Sequence, residues 1–181
     1  KLPPQIVISK YSSWRLDFLA KLKEEMPSET YLPPKELSKE LWGICFRTPI
    51  MNSAGMFKNG ECYEMVAKQG AGAYLGGTGT WNSRRGNEKN KIYLPFVPYP
   101  NSHSASNWLG LPNDGDKVNS KRAKQLKRIN GTPLCWSLTG SPDSHGEEKL
   151  KYLVEGMRLY EQAGVDFLEI NESCPNTDKT A

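Results

Sequence analysis

Short apolar runs that end in small or polar residues alternate along this chain with segments whose apolar residues recur every three or four positions. From Leu41 onward the rhythm is regular. "GICFRTPIMNSAG" reads as a strand, "GECYEMVAKQGAG" as a helix closed by Gly70, and "AYLGGTGT" as a second strand. The region 81–116 is long and irregular, rich in Pro, Asn, Ser and Gly. "KVNSKRAKQLKRIN" then reads as a basic helix and "TPLCWSLTG" as a third strand. "GEEKLKYLVEGMRLYEQAG" is an amphipathic helix with Leu150, Leu153, Met157 and Tyr160 on one stripe, and "VDFLEIN" is a fourth strand. Such alternation predicts parallel β/α units. Four of them make half of a (β/α)8 barrel, which usually needs about 250 residues. The expected fold is therefore α/β, the first half of a TIM barrel over residues 41–181 with a helical extension over 1–40. An open four-strand sandwich is the structural alternative.

The extension differs from the rest. Ser13 is placed to cap a helix over residues 13–26, with Tyr11, Trp14, Phe18 and Leu22 three or four positions apart. Pro27, Pro33 and Pro34 end it. Packing against the main domain explains this helix, and so does contact with a membrane surface or lipophilic partner; Lys10, Lys21 and Lys23 fit both.

Composition narrows the classes. Of 181 residues, 5 are Trp, 8 Tyr and 5 Phe, too many for a disordered chain. A net charge of +4 does not by itself imply nucleic acid, and no apolar run is long enough to span a bilayer. The start, Lys1-Leu2-Pro3-Pro4, shows neither an initiator Met nor a signal-peptide pattern and reads as a processed or truncated end. Cys45, Cys62, Cys135 and Cys174 are far apart, and His103 and His145 are the only histidines. That spacing predicts no disulfide framework and no metal site, and it points to a reducing, cytoplasmic setting. Cys45, Cys62 and Cys135 read as small buried hydrophobes. The basic residues of 117–128 read as a solvated helix face.

In parallel β/α folds the chemistry collects where strands end. Those positions carry Asn52, Ser53, Ala54, Gly55 and Lys58, then Gly76, Gly77, Thr78, Gly79 and Thr80. Ser137, Thr139 and Gly140 follow, and last Asn171, Ser173, Cys174 and Asn176. Small residues let a flat ligand lie against backbone, while hydroxyls and carboxamides give directional hydrogen bonds. Only Lys58 and Cys174 can change charge, which suits a planar cofactor under a small polar substrate. In the irregular region, "SNWLGLPNDG" contains ordinary turn chemistry at Asn113 and Gly115, but Asn107 ahead of Trp-Leu-Gly-Leu is not explained by a turn alone.

"NSAGMFKNG", "GAGAYLGGTGTWNSRRGN", "NWLGLPNDG", "TPLCWSLTG" and "LEINESCPNT" resemble, in order and spacing, the dihydroorotate dehydrogenases over residues 41–178. Related dihydropyrimidine dehydrogenases usually show His where this chain has Asn176, so the orotate enzymes are the better match. The resemblance implies FMN at the barrel mouth and oxidation of dihydroorotate to orotate, a step of pyrimidine synthesis. By resemblance, Ala54, Gly55, Lys58, Thr78, Ser137 and Asn171 meet the flavin. Lys58, Asn107, Leu109, Gly110, Leu111, Asn171 and Asn176 meet the substrate, and Cys174 is the base. A thiol, with an ordinary pKa of about 8.5, serves as a base where its thiolate is stabilised.

The pattern mixes two branches of that family. Cys as the base is typical of fumarate- or NAD-linked members, which place a Lys where this chain has Gly77. The AGxxKxG lysine, the Gly-Thr of the second strand and the helical extension are typical of quinone-linked, membrane-associated members. The electron acceptor (fumarate, NAD or quinone) therefore stays open, as do peripheral membrane contact through residues 13–26 and a homodimer. A dihydropyrimidine-type reductase and a non-catalytic half-barrel are the competing functions, the latter because the flavin phosphate site expected beyond strand seven falls outside this sequence.

Overall fold

The computed structural model describes residues 2–177, apart from the side chain of Lys23. Helix α1 spans Pro4–Glu24, so it begins well before Ser13. Pro4 opens it, because its fixed φ suits the first turn and its missing N–H would have no partner there. Ser12, next to the expected cap Ser13, lies mid-helix and buried, where its Oγ accepts the Leu94 N–H at 3.1 Å. The predicted apolar stripe splits in two. Leu22 packs on the core, beside Leu19 and Met26 from outside the predicted stripe, whereas Trp14 and Phe18 are 53% and 51% exposed.

After α1 comes a hairpin, β1 (Lys39–Leu41) and β2 (Ile44–Phe46), paired antiparallel. Its two-residue turn, Trp42 and Gly43, has φ of 55° and 72°, the left-handed pair that matches the twist of two antiparallel strands. "GICF" is thus the return arm of a hairpin and not the first parallel strand. The chain then runs along the edge of the next strand without a regular ladder. The Asn52 side chain stands in for backbone there, its Nδ2 donating to Leu75 O at 2.8 Å and its Oδ1 accepting the Leu75 N–H at 3.1 Å. Gly72 N–H donates to Ile50 O and Gly55 N–H to Gly77 O, and Phe57 forms a parallel bridge with Gly76.

Helix α2 (Tyr63–Lys68) ends before Gly70 and leads to β3 (Tyr74–Gly79). The irregular region holds an unexpected antiparallel hairpin, β4 (Phe96–Tyr99) and β5 (Ser104–Asn107). Pro98 within β4 and the Ser-Ala-Ser-Asn of β5, whose one apolar residue is the small Ala105, hide it from an alternation test. Helix α3 (Asp116–Gln125), β6 (Leu134–Leu138), α4 (Gly146–Gln162) and β7 (Phe167–Ile170) follow the predicted order. The basic side chains of α3 are exposed while Asn119, Ser120 and Ala123 are buried. On α4, Tyr160 is fully buried and Leu153 and Met157 pack on the core, but Leu150 is exposed.

Strands β3, β6 and β7 form one parallel sheet in that order. One face, with Tyr74, Leu134, Trp136 and Leu138, packs on α3 and α4. The other buries Leu75 and Cys135 under Phe46 of β2, whose ring meets Phe167 at 5.6 Å. Glycine at position 76 is required by close approach: a Cβ there would sit 2.8 Å from the Trp136 ring.

Behind the sheet, Trp136 stacks on Tyr160 with centroids 5.0 Å apart, and the Tyr160 hydroxyl donates to Asp116 Oδ1 at 3.2 Å. Asp116 is 2% exposed, and burial pushes its carboxyl up from 3.8 to about 7. The folded chain therefore keeps a proton that the unfolded chain releases near pH 3.8, so this group's contribution to stability is lost as pH rises from about 4 to 7. Asp116→Asn should flatten that part of the Tm-against-pH curve and raise Tm at pH 7; thermal melts of both proteins from pH 4 to 8 check it.

Candidate functional site

The carboxyl ends of the parallel strands and the loops beyond them enclose a cavity of about 420 Å³. Its floor is set by Asn171, whose N–H extends the β6–β7 ladder by donating to Leu138 O at 2.7 Å. The Asn171 Nδ2 reaches past β6 to Thr78 Oγ1 at 2.8 Å, and its Oδ1 accepts the Ser173 N–H at 3.2 Å. The Thr78 and Ser137 hydroxyls are 3.0 Å apart. Ser137 is fully buried and stands behind Thr78, so it supports the cavity without lining it. Ala54, Gly55 and Lys58 close one side.

The opposite wall is made of two loops stitched together. Asn107 ends β5 and precedes Leu109, Gly110 and Leu111, all lining residues. Asn176 comes from the loop after β7, and its Nδ2 donates to Asn107 O at 3.3 Å. Asn87 binds both loops: its Nδ2 donates to Trp108 O and Asn176 O, each at 2.9 Å, and its N–H to Leu109 O at 2.9 Å. Gly110, with φ of 69°, leaves room for it, since a Cβ there would lie 2.5 Å from Asn87 Oδ1. Asn113 serves the turn, accepting the Gly115 N–H at 2.8 Å and donating to Thr80 Oγ1 at 2.8 Å.

Eleven of the twelve predicted site residues line this one cavity, Ser137 being the exception. Cys174 is half-buried there. The other thiols are elsewhere. Cys135 is fully buried, and burial pushes its thiol up; Cys62 is half-buried before α2, and none of the four is in a disulfide. Cys45 departs from its expected burial, because its side of β2 faces solvent. No group of His, Cys, Asp or Glu among the described residues has a metal-binding arrangement.

Two contributors were not singled out from the sequence. Asn87 lies in a polar Arg-Arg-Gly-Asn run with no periodicity to mark it. Arg15 belongs to α1, yet it also lines the cavity.

The dihydroorotate dehydrogenase family profile matches residues 36–181. This chain belongs to the dihydroorotate dehydrogenase family. It is 29% identical over 158 residues to the dihydroorotate dehydrogenase (quinone) of Cyanothece sp., covering 86% of this chain and 41% of that protein. With the enzyme of the same name from Photobacterium profundum it shares 32% identity over 140 residues, 76% of this chain and 39% of the other. The crystal structure of the Eimeria tenella dihydroorotate dehydrogenase in complex with ferulenol superimposes with a TM-score of 0.73 at 25% identity, over 98% of this chain and 46% of that one. The arc of parallel strands is thus part of a dihydroorotate dehydrogenase TIM barrel. The chain spans about two fifths of the length of these curated relatives.

Within that family fold Lys58 is no solvated loop residue. Burial first, then the Arg15 charge, lowers it from 10.5 to about 8, while Cys174 and Glu61 pull it back up. The folded chain sheds this proton near pH 8 and the unfolded chain near 10.5, so holding the charged form costs stability below pH 8 and that cost fades from about 8 to 10.5. Lys58→Met should therefore raise Tm at pH 7, with the gain shrinking above pH 8 and gone near pH 10.5; melts across that range measure it.

Proposed function

We propose that this chain supplies the Cys174 side of the active site of an enzyme that oxidises dihydroorotate to orotate on FMN. The observation that carries the reading is the shared cavity: Lys58 and Cys174, the two titratable groups predicted at strand ends, open into one space with Ala54, Thr78, Asn107, Asn171 and Asn176. The residues fit a flat prosthetic group. Ala54 and Gly55 offer a shallow wall, and Thr78 and Asn171 give polar edges. When bound, FMN supplies a two-electron acceptor for hydride.

Several of this chain's residues have parts in the reaction. Cys174 Sγ, as thiolate, takes the proton from the substrate carbon beside the carbonyl, while the neighbouring carbon gives up hydride; loss of H⁺ and H⁻ makes the ring double bond. Asn107, Asn171 and Asn176 hold the ring and its carboxylate by neutral donors and acceptors that do not compete for the proton. Lys58 Nζ⁺ stabilises negative charge as it grows beside Gly55. Cys174→Ala should slow flavin reduction by dihydroorotate on the order of 10²-fold or more while FMN stays bound; stopped-flow absorbance reads the rate, and an unchanged rate removes Cys174 from the role.

Quinone is the acceptor we favour, as the relatives' names support. An apolar cavity of about 550 Å³ beneath α1, walled by Phe18, Leu22, Pro33, Met56 and Val66, supports it as well, and Met56 also borders the substrate cavity. No helix among the described residues is long and apolar enough to cross a membrane. The exposed Trp14, Leu16 and Phe18 of α1 suit peripheral contact with a bilayer surface. The one feature on the side of fumarate or NAD is Cys174 itself. Leu22→Glu should cut quinone-dependent reoxidation at least about tenfold, since it sets a charge in an apolar wall, and spare flavin reduction; equal loss in both half-reactions would defeat the quinone assignment.

A further inference from the structure

Arg15 rises from α1, outside the β/α arc, yet it reaches the core of the site. Its Nη2 donates to Gly55 O at 3.0 Å and to Met56 O at 3.4 Å. The Gly55 N–H is meanwhile held by Gly77 O at 2.7 Å. One peptide segment is thus gripped from both sides, by β3 through its N–H and by the N-terminal helix through its carbonyl. Gly55 also faces Lys58, whose Nζ would lie 3.5 Å from a Cβ built on it. Arg15 and Lys58 line the same cavity, and both line a neighbouring one together with Glu61.

Two part-buried cations lining one cavity oppose folding, through repulsion and lost hydration. Helix α1 does not need the guanidinium for its packing, because Leu19, Leu22 and Met26 provide that. We propose that Arg15 is a positioning residue, which fixes the Gly55–Met56 carbonyls and places a second positive charge in the cavity that Lys58 lines, so that the N-terminal helix tunes the cation beside the substrate. The inference deepens the proposed function and rests on it for the meaning of that cation. The charged groups acting on Lys58 are Arg15 from α1, Glu61 from the turn before α2 and Cys174 from the loop after β7. Arg15 is the only one of the three that opposes the Lys58 charge; Glu61 and Cys174 favour it.

The test follows the modification of Lys58 by acetic anhydride against pH, read by mass spectrometry in the full-length protein. The unmodified sequence should show a midpoint at about 8. Arg15→Gln should move it upward, towards the ordinary 10.5, and Arg15→Lys, which restores the charge, should bring it most of the way back. Arg15→Met keeps the aliphatic stem and repeats the measurement should the Gln protein fail to fold. A midpoint unmoved in the folded Gln or Met protein overturns the inference, since a merely structural arginine would alter Tm and leave the Lys58 titration alone. The reaction with anhydride needs neither FMN nor dihydroorotate. Failure to bind FMN with a shifted midpoint would therefore count against the proposed function and not against the coupling of Arg15 to Lys58.

Discussion

Parallel pairing of β3, β6 and β7, with one shift of register between Gly76 and Gly79, is the constraint on which the site depends. Gly79 faces Leu138, and Leu138 faces Ile170, so β3, β6 and β7 stop at one level. Because strand ends cannot slip without turning every side chain to the opposite face, the residues just beyond them converge. Asn171, Thr78 and Ser137 can therefore form one hydrogen-bonded line across three strands, and Cys174 is delivered to the cavity that Lys58 enters from the irregular edge segment.

The back of this sheet and its strand ends treat charge differently. Behind it, Asp116 is sealed against Tyr160, which stacks on Trp136, and desolvation favours the neutral acid. At the strand ends, Lys58 is only half-buried and meets both a repelling guanidinium and two attracting acidic groups. Desolvation is the leading influence on each. At Lys58, however, neighbouring charges of both signs act as well, one of them an arginine on a separate helix. Low polarity around a cation is a cost to the fold that chemistry can use, since a charge held in such surroundings acts strongly on a developing anion.

The irregular parts carry as much of the site as the sheet does. Asn52 replaces a strand's backbone with a carboxamide, which leaves the following residues free to curve around the cavity. Asn87 joins the loop after β5 to the loop after β7 through three hydrogen bonds. Both are short polar side chains that imitate backbone, and this explains how a wall built from loops keeps a defined shape.

By itself, the sequence determined the alternation of helices and parallel strands and the set of residues at the strand ends. Those follow from local periodicity and from small residues that only certain backbone geometries need. Burial of α4 by Tyr160, the buried Cys135 and the exposed basic face of α3 were legible for the same reason. Tertiary structure alone decided the antiparallel β1–β2 hairpin in place of a first strand, the β4–β5 hairpin and the exposure of Cys45 and Leu150. It also decided that Arg15, about 40 residues away in sequence, grips Gly55. Contacts of that range leave no periodic mark, because they depend on where whole elements pack and not on the spacing of neighbours along the chain.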